Sequence, residues 1–252
     1  LLAMGQPGER GNFYHLYING QYRGMYNSCE RPEASFAASY FGGAPEDYDV
    51  LKPDYDLGAT MQPTDGNGSA WSRLWQAAVD GFETNEKYFG VQGRNSDGSP
   101  NPSLENLLDV TSLVDYLLVT FWTGNKDGPV YGEIFNDALD QGFLNNYYAI
   151  RSRLNTGGFR FLTHDAELTL DDVQDNRIAL TTTIGDPASG DGAGRCNPYY
   201  LWKRLLVNSE FRQLLADRIQ KHFFNNGALT TTAATARFQA LADEMDRAIV
   251  GE

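Results

Sequence analysis

Two lone aspartates, Asp127 and Asp165, each follow an apolar run, and an asparagine pair, Asn145 and Asn146, opens a strand-like segment between them. The three pieces read TGNKDG (123–128), NNYYAIR (145–151) and FRFLTHDAELTLDD (159–172). An acid, an asparagine and a second acid, delivered from the ends of rigid elements, suit a divalent cation and a phosphate. Hard Mg²⁺ takes oxygen ligands, and phosphoryl transfer depends mostly on positioning and charge. Each residue also has a plainer reading. An Asp closing a helix is ordinarily a turn or capping residue. Asp165 stands out more, because an acid set between the apolar FRFL run and Leu168 is costly to bury unless it is paired or bound to metal. Glu167 reads equally as support for that acid or as surface, and His164 as a packing residue ahead of a ligand.

Those residues need elements to hold them. Residues 12–29 alternate aromatic or apolar with polar side chains about Asn19-Gly20, the strongest short-range hairpin signal. Tyr17, Tyr22 and Tyr26 on it read as core. A helix is expected from Glu30-Arg31-Pro32 to the Gly42-Gly43 pair, then a short strand over 47–53 with Lys52 near its end. Residues 54–67 read as a loop, and 69–82 as a helix with Trp71, Leu74, Trp75 and Val79 on one face. The polar run 93–103 is a linker or surface loop. Residues 104–122 read as largely helical, with Thr111 as an N-cap. Two strands in 143–164 are joined by the turn 155–158, and 171–198 is a long loop or flap. Two helices, 199–224 and 232–250, close the chain, the first carrying a stripe of Leu201, Leu205, Phe211, Leu214, Leu215 and Ile219. The order gives an α+β chain, a small sheet-rich N-terminal part and a larger, mainly helical C-terminal part.

At 252 residues, 41% apolar and 13% aromatic, the chain can bury a substantial core. Its net charge of −13 argues against nucleic acid or an anionic membrane as the main partner. A nucleotide is compatible with that charge, since one cation or a metal suffices locally. No apolar run approaches the roughly 18 residues of a membrane span. The opening LLAMGQPGERG reads as the tail of a helix broken by Gly5 and Pro7, which implies a piece of a longer polypeptide. Cys29 and Cys196 are too few for a disulfide framework, and free thiols are expected ahead of a single bridge. Asp65 to Ser69 and the acids between Gly185 and Gly192 read as turns, lacking the full spacing of a Ca²⁺ loop.

The ordered set HLYINGQYRGMYNSCERPEASFAASYFGG, YDVLK, DYLLVTFWTGNKD, NNYYAIR and GGFRFLTHDAEL resembles the CotH kinase family, the spore-coat-protein-H-like proteins. The helical tail NPYYLWKRLLVNSEFRQLLADRIQKHFFNNGALT is also similar to that family. The resemblance implies a divergent protein-kinase-like fold in a single domain over 1–252, incomplete at both ends, with an N-lobe-like portion in 1–92 and a C-lobe-like portion in 104–252. It implies ATP- and Mg²⁺- (or Mn²⁺-) dependent transfer of phosphate to Ser or Thr of secreted or surface proteins, hence an extracellular or cell-surface location. Carried over by position, Asp127 looks like the catalytic aspartate, and Asp165 and Asn146 (or Asn145) like metal ligands. Lys52 looks like the lysine that meets the α- and β-phosphates, with Glu30 as its partner. The sequence departs from the family's pattern in three places: Gly128 and His164 each stand where the family has Trp, and Asn146 follows Asp127 by 146 − 127 = 19 positions, where about five are usual. The insertion forms a lid or carries Asn146 away from the site. The alternative reading is a non-catalytic, pseudokinase-like binding or structural module of a large extracellular protein.

Overall fold

The computed structural model describes residues 1–54, 60–126, 128–129, 146–174, 178 and 197–249. Asn19 and Gly20 both take positive φ, 52° and 77°, as a type I′ turn requires. They close the antiparallel pair β1 (Gly11–Ile18) and β2 (Gln21–Cys29). The aromatics of this hairpin are not core: Tyr17, Tyr22 and Tyr26 are exposed, with Tyr17 and Tyr22 packed on each other at 5.2 Å. A two-stranded ribbon covers no second layer by itself, so alternation alone does not bury a face. Cys29 is exposed and free. Cys196, with most of the expected 171–198 flap, lies outside the described residues.

Helix α1 (Ala34–Phe41) ends at Gly42 as expected but begins late, because Glu33 is extended and Pro32 falls in the approach rather than in the first turn. The central sheet has the order β4-β3-β5-β6, antiparallel throughout, with β3 (Tyr48–Asp54), β4 (Thr60–Asp65), β5 (Tyr147–Ser152) and β6 (Arg160–Thr163). Strand β4 occupies part of the stretch expected to be loop. As an edge strand it tolerates Pro63, and its sequence TMQPTD hides the period. The ladder from Tyr48–Leu51 to Ala149–Ser152 joins strands from the first and second halves of the chain.

Alternation along these strands gives the sheet two buried faces. Leu51, Tyr147, Ala149 and Phe161 pack on α2 (Ser69–Asp80) and α4 (Val110–Thr123), whereas Val50, Tyr148, Ile150 and Leu162 pack on Phe36 of α1. On α2 the buried stripe is Trp71, Leu74, Trp75 and Ala78, with Val79 at its margin. A short helix, α3 (Asn85–Gly90), follows, capped by Thr84. Residues 104–109 are not helical; they bridge Asn106 to Gln92 and Leu108 to Phe159. Asp109, not Thr111, caps α4, accepting from the Ser112 N–H at 2.9 Å, and Asp is the stronger cap. The first of the two expected terminal helices is split into α5 (Pro198–Leu205) and α6 (Ser209–Phe223), because the Asn208 side chain accepts from the Glu210 N–H and starts a new helix. Ile219 lies on the exposed side of that helix. Helix α7 (Thr231–Ile249) follows and buries no residue.

Inside the helical layer, Asp115 of α4 is fully buried. It accepts from Gln6 Nε2 at 2.7 Å and from Nε (2.8 Å) and Nη2 of Arg218. His222 is buried beside it, with Nε2 3.5 Å from Asp115 Oδ1. Burial lowers the His222 pKa, outweighing the attraction of Asp115; Arg218 and Lys221 add to the lowering. The unfolded chain therefore binds this proton before the native one does, so the His222 contribution to stability rises with pH up to about 6.5 and is level above it. Denaturant midpoints measured from pH 5 to 8 should show that slope, and His222→Gln should flatten it.

Candidate functional site

Helix α4 stops at Gly124, whose φ of 62° turns the chain. The segment that follows is laced to the one that follows β6: Lys126 N–H donates to Leu168 O (2.9 Å), Leu170 N–H donates to Thr123 O (2.7 Å), and Lys126 Nζ lies 2.5 Å from Asp171 Oδ2. That ammonium holds the Asp171 carboxyl below its ordinary pKa. On the other side, Tyr147 pairs with Thr163, and His164 N–H donates to Asn146 O at 3.0 Å. The backbones of Asn146, of the 164–170 segment that carries Asp165 and of Thr123–Lys126 are thus tied together at one end of the sheet. Lys52 is at the same end, one residue beyond Leu51, whose partner in β5 is Ala149.

The backbone here is strained. Among the described residues, the non-glycine positions with positive φ are asparagines except for Asp165 (46°) and Leu170 (58°). Both belong to the segment bound to Thr123–Lys126, and Asn146 (57°) lies against it. Left-handed backbone costs a residue with a Cβ roughly 1–2 kcal/mol. Its persistence means the surrounding hydrogen bonds over-determine the conformation, a feature that gathers at functional sites.

Asn125 and Asn146 are buried, whereas Asp165 is exposed and makes no side-chain hydrogen bond or ion pair among the described residues. The cost of burial is therefore not what marks Asp165; an open carboxylate one residue along from the His164–Asn146 backbone bond is. Lys52 is half-buried and has no ion-pair partner among the described residues. Glu30 does not meet it: its carboxylate accepts from Tyr40 Oη and from the Arg10 N–H (3.0 Å). His164 has a packing role, edge-on to Tyr148 and 2.7 Å from Glu9 Oε1, and Glu167 is exposed. Asp127 and Asn145 lie outside the described residues.

No group of three or more His, Cys, Asp or Glu gathers among the described residues. The donors present still fit Mg²⁺, which keeps several waters and is held by one or two carboxylates plus substrate phosphates. Sequence reasoning passed over Lys126. Its partner Asp171 is 45 positions away, so only its place inside TGNKDG could have flagged it.

The chain matches the family model described as CotH kinase protein over residues 2–252. It belongs to the CotH kinase family. A search of curated proteins finds no match. Within the family's pattern, Gly128 has a local explanation: a Cβ there would come within 3.2 Å of the Asn125 side chain and 3.4 Å of Thr120. A Trp at position 128 would press on the buried Asn125 side chain, which would have to give. No described helix is long and apolar enough to cross a membrane.

Proposed function

We propose that this CotH kinase family chain is a protein kinase that transfers the γ-phosphoryl group of ATP, with Mg²⁺ or Mn²⁺, to Ser or Thr of secreted or surface proteins. One observation supports the reading: the hydrogen bond from His164 N–H to Asn146 O ties the backbone next to Asp165 to that of Asn146, the two residues read here as metal ligands. The chain is read as one kinase-like domain, with 1–92 and 104–252 contributing its two lobes, working outside the cell or at its surface.

In this reading Asp165 and Asn146 hold the cation, which when bound neutralises charge on the β- and γ-phosphates. Lys52 meets the α- and β-phosphates as a compact cation. Asp127 orients the substrate hydroxyl and accepts its proton, a step governed by alignment. Lys126, held by Asp171, fixes the segment that precedes Asp127. Lys52→Met should raise the KM for ATP about ten- to hundredfold, the weight of one charge-assisted hydrogen bond, with a smaller change in Tm.

The test is incubation of the purified protein with labelled ATP and Mg²⁺ or Mn²⁺. Labelling of itself or of casein, and a metal-dependent thermal shift with ATP, are expected; absence of both sinks the reading. The second reading, a non-catalytic module, is favoured by Gly128 in the Trp position and by the long interval before Asn146. It requires that neither labelling nor the nucleotide shift occur.

A further inference from the structure

Asn146 precedes β5 and Asp165 follows β6, so the turn 155–158 is at the opposite end of that hairpin, roughly 13 Å away along the four-residue strand. A cavity of about 630 Å³ opens there, between α1, the start of α4 and residues 5–10. Three arginines line it from separate parts of the chain: Arg10 before β1, Arg94 after α3 and Arg160 at the start of β6. Among the described residues the acid in its wall is Asp109, already engaged by the Ser112 N–H at 2.9 Å and by Arg160 at 3.3 Å. With Glu30, which lies 3.9 Å from Arg10, three guanidiniums face two carboxylates, a local excess of positive charge in a chain whose net charge is −13.

The arginines are held in a form suited to an oxyanion. Arg10 lies over the Tyr40 ring at 4.3 Å and Arg160 over the Phe41 ring at 4.7 Å. Stacking occupies the face of a guanidinium, and its planar N–H edge is what grips phosphate. Glu30 steadies Arg10 from 3.9 Å, and Arg94 Nη1 donates to Gly98 O at 3.0 Å. Val110 and Thr111, also in the wall, open the 14-residue α4, so the positive end of its dipole adds to the field. Phe36, Tyr40 and Phe41 offer an apolar side to the carbon part of a ligand. The volume is that of a small-ligand site.

We propose that this cavity binds a phosphate monoester, presented as a phosphoseryl side chain on a polypeptide or as a free small phosphate. The site is separate from the Asn146–Asp165 end of the sheet and does not depend on the activity proposed for it. Calorimetric titration with a phosphoseryl peptide, its unphosphorylated twin and free phosphoserine tests it. The phosphopeptide should bind at least tenfold tighter than its twin. Arg94→Gln and Arg10→Gln should each weaken it about tenfold or more at unchanged Tm; Arg160→Gln is avoided because it also strands Asp109. Tighter binding of the phosphopeptide than of free phosphoserine assigns a polypeptide ligand, and equal binding assigns a free phosphate; both uphold the site. Equal affinity for the two peptides, undiminished binding to both variants, or no binding of any phosphate probe overturns it.

Discussion

Asp165→Asn is expected to lower the rate of phosphoryl transfer by a factor on the order of 10² or more while leaving the melting temperature unchanged. A divalent cation on a transferring phosphate supplies several kcal/mol of charge stabilisation, and each 1.36 kcal/mol is tenfold in rate. On the proposed reading Asp165 would hold that cation, and removing its negative charge would forfeit most of that stabilisation. The choice of Asn over Ala follows from the backbone. At φ 46° Asp165 is left-handed, a conformation that Asn shares readily and that costs Ala roughly 1–2 kcal/mol. Asp165→Ala should therefore lose activity and a few degrees of Tm together, confounding the two effects. The exposed carboxylate leaves no buried partner stranded in either variant. Phosphate transfer retained by Asp165→Asn at normal metal concentration would remove Asp165 from the site.

The parts of this fold that were legible in the sequence are those whose cause is local. Asn19-Gly20 announces its hairpin because only residues tolerant of positive φ can occupy both turn positions. The apolar run of α4 announces a buried helix because nearly every side is covered. Strand β4 was hidden because TMQPTD becomes a strand only by pairing with β3. The start of α4 differs from the Thr111 cap that the sequence suggests because Asp109 and Thr111 are both cap residues, and the geometry of the incoming 104–109 segment selects the first. Asn208 does not stand out as a cap in the sequence because the apolar stripe continues across it while the helix does not.

The candidate site divides on the same principle. The position of Asp165 after an apolar strand was visible, whereas its exposure, its left-handed backbone and the ion pair of Lys126 with Asp171 depend on contacts between distant segments. Glu30 illustrates the opposite error. Its place after β2 suggested a partner on β3, but Arg10 and Tyr40, brought in by the first residues and by α1, reach its carboxylate instead.

Away from the candidate site, Asp115→Ala should lose about 3–5 kcal/mol, the cost of leaving one member of a buried charge pair alone. Arg218, whose side chain is 13% exposed, would keep its charge in the layer between α4 and α6 with no carboxylate to meet it, and Gln6 would lose its acceptor. A surface ion pair would cost at most about 1 kcal/mol on the same change, so the size of the loss reports burial. The double replacement Asp115→Leu with Arg218→Met separates the charge from the packing. Apolar groups of similar volume commonly match or exceed a buried pair in stability, so the double variant should recover most of what Asp115→Ala loses. It should also leave the slope of stability below pH 6.5 in place, because burial, the largest cause of the lowered His222 pKa, persists. Urea midpoints of the three proteins decide the matter. A loss under about 1 kcal/mol for Asp115→Ala, or a double variant no better than the single one, would mean that the pair is not what joins these helices.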